Sequence, residues 1–473
     1  MADVVADMGT VTVAHANGAG RLRASGAVRV QAGAAIAVLG TGSRLEGWPA
    51  RCGLVVASEL WLAHEGLELE RRSLASAVWL ARELTHEEHD VAVGPVVTVA
   101  GPDVALAPER LVELAMAGAI AFDPACGAEA LAAGGAPLAV VYAADDAGAL
   151  EPIRPLAERW ARACIARRVL LSAPRSFCAG VERAVDIVER AIERFGAPVY
   201  VRRQIVHNAH VVRALAERGA VFVEELDEVP DGATVVLAAH GVSPAVRHEA
   251  AGRQGLRVID ATCPLVAKVH NEARRYASRG YEIVLVGHES HEEVVGTVGE
   301  APDRIHVVAS AGDVEALDLG TDGRLAYLTQ TTLATDETAQ VVDALRRRFP
   351  RIEGPSADDI CYATQNRQDA VRAIAAECDL VLVVGSANSS NTARLVEVAR
   401  REGCRAELVE DAGQLRLTWL DGARTVGLTA GASAPEVLVE DVIEALGRLG
   451  PVEIDERRTT TETVRFTLPV QVR

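Results

Sequence analysis

Apolar residues in the second part of the chain gather into short continuous runs. Val169-Leu-Leu-Ser, Thr234-Val-Val-Leu-Ala-Ala, Val258-Ile-Asp, Glu282-Ile-Val-Leu-Val and Leu380-Val-Leu-Val-Val each read as a strand buried on both faces. Helical patterns fill the intervals, so the rhythm predicts βαβ units and parallel sheets. Ligands in such sheets bind beyond the carboxyl ends of the strands. The residues expected there are Cys178, His240, Cys263, Gly287-His288, Cys361 and Gly385-Ser386. A repeat reinforces the pattern. Cys263 and Gly287 stand 24 positions apart, as do Cys361 and Gly385, and a polar cluster follows each glycine. The segment around Cys178 reads as a looser third copy, which predicts three related α/β units, each presenting one cysteine to a common centre.

The first part of the chain is patterned differently. Strand-like runs, Ala35-Ile-Ala-Val-Leu39 and Pro95-Val-Val-Thr-Val99, accompany the helical pattern Pro108-Glu-Arg-Leu-Val-Glu-Leu-Ala115. This predicts a separate small α/β domain over 1–150. Two prolines and the amphipathic Leu156-Ala-Glu-Arg-Trp160 predict a linker helix over 151–168, which leaves 169–473 as the main domain.

Composition narrows the partners. The 473 residues are 49% hydrophobic, enough for sizeable cores, and carry a formal charge of −18. That charge argues against nucleic acid as a partner and requires any anion to be met by a local pocket of donors. The longest charge-free apolar stretch, 130–144, has 15 residues with two Gly and a Pro, short of the ~18 expected of a membrane span. The N-terminal Met-Ala-Asp-Val-Val-Ala-Asp lacks the basic and apolar regions of a secretory signal, so no membrane partner and a cytoplasmic location are expected. Eight cysteines without a Cys-x-x-Cys pair then point to metal, redox or buried thiol roles, not to a disulfide framework.

Three thiolates at one centre suit zinc or an iron–sulfur cluster, and a count of three leaves one coordination position open. The plainer reading makes Cys178, Cys263 and Cys361 small core residues; Cys52, Cys126, Cys164, Cys378 and Cys404 lack a strand-end context, and for them it is preferred. His207, His240 and His291 stand beside Gly, Asn or acidic residues, which favours anion binding or proton transfer. Asn388-Ser-Ser-Asn391 and Ser433-Ala-Pro-Glu436 each precede a helical run. They cap those helices and also offer phosphate sites, and two such sites suggest a diphosphate.

At these same residues a family resemblance becomes specific. Pro174-Arg-Ser-Phe-Cys-Ala-Gly-Val181, Val206-His-Asn208, Ala239-His-Gly-Val242, Asp260-Ala-Thr-Cys-Pro-Leu-Val266, Thr329-Gln-Thr-Thr-Leu333, Asp359-Ile-Cys-Tyr-Ala-Thr364, Gly385-Ser-Ala-Asn-Ser-Ser-Asn391 and Thr429-Ala-Gly-Ala-Ser-Ala-Pro435 resemble, in order, the motifs of the 4-hydroxy-3-methylbut-2-enyl diphosphate reductases. The resemblance implies three α/β units around a central 4Fe-4S cluster held by Cys178, Cys263 and Cys361. His207, His240, Ser389, Ser390, Asn391 and Ser433 would bind the diphosphate or orient the substrate. His291 and Thr331 would line its hydroxyl end, and Glu293 would deliver the proton as that hydroxyl is removed to give isopentenyl and dimethylallyl diphosphates, the last step of the methylerythritol phosphate route. Electrons would arrive from ferredoxin or flavodoxin. Three departures from the family pattern stand out: Glu292 replaces Pro in His-Pro-Glu, Val295 replaces Glu, and Ser176 replaces Gly. Glu292 is expected to face away from the site.

Ala117-Gly-Ala-Ile-Ala-Phe-Asp-Pro-Ala-Cys-Gly-Ala128 with Ala136-Pro-Leu-Ala-Val-Val-Tyr-Ala-Ala-Asp-Asp146 is similar to the C-terminal part of nucleoside phosphorylase-like domains. Pro124-Ala125 stands where that family has Met-Glu, which implies a degenerate, noncatalytic domain. Two other functions compete: a hydrolytic zinc enzyme using the same Cys and His residues, and a bifunctional or regulatory scaffold whose N-terminal domain binds a nucleoside or partner.

Overall fold

The computed structural model describes residue 163 and residues 165–320, 323–447 and 449–473 in full, and before them the backbone of nine strands between Val4 and Ala144. Two compact units divide the chain. One comprises Met1–Val169, Ala412–Val426 and Asp441–Ile454; the other comprises Leu170–Asp411, Gly427–Glu440 and Asp455–Arg473.

The nine early strands are β1 (Val4–Met8), β2 (Val11–His15), β3 (Gly18–Arg21), β4 (Gly26–Val30), β5 (Ile36–Thr41), β6 (Leu54–Ala63), β7 (Glu70–Ser73), β8 (Val91–Val99) and β9 (Ala139–Ala144). They form one sheet in the order β1-β4-β5-β9-β6-β8-β2-β3, with β7 on β6. Its pairing is mixed: β5 runs parallel to β9, while β1 and β4 are antiparallel. The two expected strands appear as β5 and β8. The helical pattern at 108–115 and residues 151–162 of the expected linker helix lie outside the described residues. The end of that linker is corrected: Arg167 and Arg168 open a strand, β10 (Arg167–Ala173), because Val169-Leu-Leu extends the same buried run.

From β10 onward the chain alternates as its pattern predicts, and the described architecture is α/β with parallel strands. A first sheet has the order β12-β11-β13-β14, built from β11 (Val199–Arg202), β12 (Ala220–Val223), β13 (Thr234–Leu237) and β14 (Arg257–Asp260). Its neighbours pair in parallel, with Val199 opposite Thr234 and Leu237 opposite Asp260. Helix α1 (Ala179–Phe195) buries Ala184, Ile187, Val188 and Ala191 in the core of this sheet, and α2 (Ala209–Glu217) and α3 (Pro244–Gly252) complete the crossovers. A second sheet, β16-β15-β17, contains β15 (Glu282–Val286), β16 (Ile305–Val308) and β17 (Leu325–Thr329). Helices α4 (Pro264–Ser278), α5 (Glu292–Val298), α6 (Ala311–Ala316) and α7 (Thr335–Arg348) belong to it. Next come α8 (Tyr362–Ala375), β18 (Leu380–Val384), α9 (Ser390–Arg401), β19 (Ala406–Val409), α10 (Leu417–Leu420), β20 (Thr425–Ala430), α11 (Glu436–Gly447) and β21 (Val452–Arg458). The third sheet has the order β19-β18-β20-β10-β21. Every residue of β18 is buried, as its five-residue apolar run requires.

Residues after the strand ends sit where the chemistry was expected, with one correction. Gly287 and Gly385 directly follow β15 and β18, and Cys178, His240 and Cys263 follow β10, β13 and β14 within a few residues. Cys361 follows a loop instead. Glu353 pairs with Ala326 at a single bridge, and Pro355, which has no N–H to offer, lies just beyond it.

Leu382, fully buried in the middle of β18, should be costly to truncate. Leu382→Ala is expected to lower the urea midpoint by an amount equivalent to about 2–5 kcal/mol. Val437→Ala, at a position 53% exposed, should stay within about 0.5 kcal/mol of the parent.

Candidate active site

Each of the three cysteines occupies the residue just before a helix: Cys178 before α1, Cys263 before α4, Cys361 before α8. Each is also tied by its own amide to a strand-end segment elsewhere. Cys178 N donates to Ala432 O at 3.2 Å, Cys263 N to Ala239 O at 2.9 Å and Cys361 N to Thr331 O at 3.1 Å. The three thiols therefore enter one cavity from three directions. Gly180 keeps the space between them clear: a Cβ there would meet Cys263 Sγ at 2.8 Å and Cys178 Sγ at 3.7 Å.

Helix N-termini favour thiolates, but burial opposes them. Burial pushes the Cys263 thiol up to about 12, with repulsion from Cys178 and then Cys361 adding to it, against the pull of the Leu265 and Val266 amides. Burial and then Cys178 push Cys361 up to about 11, although the Thr364 hydroxyl and amide stabilise its ionised form. Thr364 Oγ1 lies 3.1 Å from Cys361 Sγ and its amide donates across 3.4 Å. Three soft donors that cannot all ionise alone fit a cationic, thiophilic group that releases their protons as it binds. The donor set and the room left by Gly180 suit an iron–sulfur cluster.

A proton-carrying side stands beside the sulfurs. Glu293, on the first turn of α5, is only 2% exposed. Its carboxylate accepts from Thr331 N at 2.7 Å and from Thr331 Oγ1 at 2.9 Å. Burial raises its pKa to about 7 despite both hydrogen bonds. Its backbone amide donates to His291 Nδ1 at 3.2 Å, so His291 caps the helix that carries it.

Other residues lining the cavity are rich in donors. His207 and His240 stack with centroids 3.9 Å apart and planes at 17°, and His291 approaches both edge-on, at 5.5 Å and 6.1 Å. Burial, then His240, pushes His207 down to about 3; burial and then His240 push His291 down to about 4. Ser389 caps α9, its hydroxyl accepting from Thr392 N, and lies 3.4 Å from Ser433 Oγ. Ser433 in turn donates to His207 O at 2.9 Å. Asn391 Oδ1 accepts from Ala432 N at 2.8 Å, and Ser390 Oγ accepts from Thr332 Oγ1 at 3.0 Å. Hydroxyls, imidazoles and a helix start so arranged form an anion cradle.

The residues that the family resemblance assigns to the site line this one cavity, namely the three cysteines, His207, His240, His291, Glu293, Thr331, Ser389, Ser390, Asn391 and Ser433, whereas Gly287, His288, Gly385 and Ser386 do not. Glu292 requires a correction. It does not face away; its Oε2 lies 3.4 Å from His240 Nδ1 and its Oε1 3.7 Å from Arg203. Against the burial that alone would raise it, His240, His207 and Arg203 hold its carboxyl below the usual range. Ligand atoms of His207, His240 and Glu292 fall within 4.8 Å of one another. The stacked rings point their lone pairs along nearly parallel planes, so they do not converge on an ion. Thr332 and Thr364 were not anticipated; the signal for Thr364 was its place three residues after a helix-capping Cys361. Cys378 and Cys404 pack in the core beside β18, and Cys404 Sγ donates to Cys378 O at 3.2 Å. Cys52, Cys126 and Cys164 lie outside the described residues.

Ser176 adopts φ of +57°, a left-handed conformation that costs a non-glycine residue. Its hydroxyl donates to Glu436 Oε2 at 2.5 Å, a local compensation for the absent glycine.

The LytB protein family matches residues 169–447, and the chain belongs to that family. The 4-hydroxy-3-methylbut-2-enyl diphosphate reductase of Rhodococcus opacus is 56% identical over 308 residues, which cover 65% of this chain and 91% of that protein. The protein of the same name from Cutibacterium acnes is 56% identical over 312 residues, 66% and 96% of the two chains. Among solved structures, the E-1-hydroxy-2-methyl-but-2-enyl-4-diphosphate reductase from Plasmodium falciparum is 38% identical, with a TM-score of 0.63 over 65% of this chain and 97% of that one.

A raised carboxyl pKa has a sign that can be tested. Between 4.5 and about 7 the folded protein keeps a proton on Glu293 that the unfolded chain releases, so the stability contributed there falls as pH rises. Across that window the wild type should lose about 3 kcal/mol relative to Glu293→Gln. Urea unfolding of both proteins checks it; parallel pH profiles would contradict the buried, protonated carboxyl.

Proposed function

We propose that this chain reductively removes the hydroxyl of (E)-4-hydroxy-3-methylbut-2-enyl diphosphate, giving isopentenyl and dimethylallyl diphosphates at the end of the methylerythritol phosphate route. One observation carries the reading: three thiols from three helix starts share a cavity with a buried carboxyl and a cluster of imidazole, hydroxyl and amide donors. Cys178, Cys263 and Cys361 would hold a 4Fe-4S cluster. When bound, that group supplies electrons to the allylic carbon–oxygen bond.

His207, His240, Ser389, Ser390, Asn391 and Ser433 bind the diphosphate. The imidazoles donate N–H groups, and the hydroxyls and the Asn391 amide complete the ring of donors. With the diphosphate held there, the hydroxyl end of the substrate reaches His291 and Thr331. The reaction consumes two electrons and two protons: the C–O bond breaks, the oxygen leaves as water, and a new C–H bond forms. Glu293 delivers the proton that leaves with the oxygen, and its pKa near 7 keeps that proton available at neutral pH. The second proton adds at one or the other end of the allylic system and sets which product forms. Thr331 holds the carboxyl in place from two atoms, so the acid does not swing away between turnovers. Among the described residues no helix is long and apolar enough to cross a membrane, which is compatible with a cytoplasmic reductase fed by ferredoxin or flavodoxin. The region over 1–150 is read as a degenerate nucleoside phosphorylase-like domain outside this chemistry.

Anaerobic purification should give a brown protein containing iron and sulfide, whereas a zinc hydrolase would be colourless. Replacing Cys178, Cys263 or Cys361 by Ser should abolish cluster retention and turnover together, because a hydroxyl is a harder and less acidic ligand. Cys404→Ser should leave both largely intact. A full cluster in all three variants would overturn the assignment.

Glu293→Gln should bind substrate near normally but turn over at least about 10²-fold more slowly. Wild-type turnover should decline as pH rises through about 7, where the acid loses its proton. Steady-state rates with an artificial reductant check both. An unimpaired Glu293→Gln enzyme would remove Glu293 from the reaction.

A further inference from the structure

Each helix that begins at one of the three cysteines carries a cation one turn and a half further on. Arg183 lies five residues after Cys178, Lys268 five after Cys263 and Arg367 six after Cys361. None of these cations reaches into the cavity. Each reaches instead to backbone carbonyls of the loop that leads into another cysteine.

Arg183 Nη1 donates to Ala261 O at 3.0 Å and Thr262 O at 3.1 Å, the two residues before Cys263. Lys268 Nζ donates to Ala357 O at 2.6 Å, Asp358 O at 3.0 Å and Asp359 Oδ1 at 3.0 Å, just ahead of Cys361. Arg367 donates from Nη2 to Ser176 O at 2.7 Å and Phe177 O at 3.2 Å, and from Nε to Ser176 O at 3.1 Å, just ahead of Cys178. The order is cyclic: the helix of Cys178 holds the loop of Cys263, the helix of Cys263 holds the loop of Cys361, and the helix of Cys361 holds the loop of Cys178.

We propose that Arg183, Lys268 and Arg367 form a closed ring of cation-to-carbonyl clamps that fixes the spacing of Cys178, Cys263 and Cys361, and so positions the iron–sulfur cluster. The proposal rests on the reading of those cysteines as cluster ligands. Two features mark the ring as more than ordinary surface pairing. Arg367 is 0% exposed, and a buried guanidinium is costly unless its donors are met; here carbonyls of the Cys178 loop and of Ala363, with Glu462, meet them. Lys268 is the only lysine in a chain whose other cations of this kind are all arginine. Its three acceptors converge on a single nitrogen. An ammonium can serve them from one point, whereas the planar guanidinium spreads its donors over a fork. In a closed ring no single cysteine can shift without disturbing its neighbour's loop. A ligand tripod held in this way keeps its geometry when the cluster changes charge.

The test uses the full chain purified anaerobically with its cluster, comparing wild type with Lys268→Met, Lys268→Arg, Arg183→Met and Arg183→Lys. Iron release to a ferrous chelator and the paramagnetic resonance spectrum of the reduced protein are the readouts, with thermal melting of the metal-free proteins as the control for folding. Both Met variants should lose iron about 10–100-fold faster than wild type and show an altered spectrum, while their metal-free forms melt close to the wild type. Arg183→Lys should restore retention; Lys268→Arg should not restore it fully. Unchanged release and spectrum in Lys268→Met, beside a wild type with a full cluster, would overturn the ring alone. So would a loss of iron matched by an equal loss of metal-free stability. A wild type that holds no iron or sulfide would instead overturn the reading of the cysteines, and the ring with it.

Discussion

Three thiols that share one cavity do not ionise together without a counter-charge, and the rest of the described site is arranged around that constraint. Burial and mutual repulsion raise Cys263 and Cys361 well above the ordinary thiol range. The helix starts behind them pull in the opposite direction but do not win. Left metal-free, Cys263 and Cys361 keep their protons. Supplied with a thiophilic cation, the centre would give those protons up. On the proposed reading the ligands wait for metal in protonated form, and metal affinity would depend on pH.

The same low-dielectric surroundings act in opposite directions on the other titratable groups. Burial keeps a proton on Glu293 and keeps protons off His207 and His291. A single physical cause thus makes an acid of one wall of the cavity and uncharged donors of the other. Two carboxylates adjacent in sequence end up with opposed behaviour: Glu293, sealed against Thr331, is raised, whereas Glu292, facing His240 and Arg203, is lowered. The turn of α5 separates them. That is how an extra acidic residue beside the proposed proton donor is accommodated without competing for its place.

Much of this was legible in the sequence because the signals were local. Five-residue apolar runs such as Leu380–Val384 admit little except a buried strand, and the equal spacing of Cys263–Gly287 and Cys361–Gly385 betrayed the repeated unit. What the sequence could not supply was direction. Glu292 was expected to face away because its neighbour Glu293 faces in, yet the stacked pair at His240 draws it to the rim of the cavity. Cys361 was expected at a strand end, but the ladder gives out at Glu353. The cations at 183, 268 and 367 carried no signal in the sequence, since their acceptors are backbone carbonyls some 80 to 190 positions away in the chain. Backbone acceptors leave no residue type to recognise.

The stacked imidazoles of His207 and His240 carry a consequence for energetics in solution. With His207 held neutral by burial, a multiply charged anion bound beside the ring would favour its protonated form again, so binding would draw a proton from the buffer. The heat of binding would then vary with the ionisation enthalpy of the buffer, and the apparent affinity would rise as the medium becomes more acidic. When such an anion departs, the borrowed proton would return to water, and His207 would revert to an uncharged ring with little hold on stray anions.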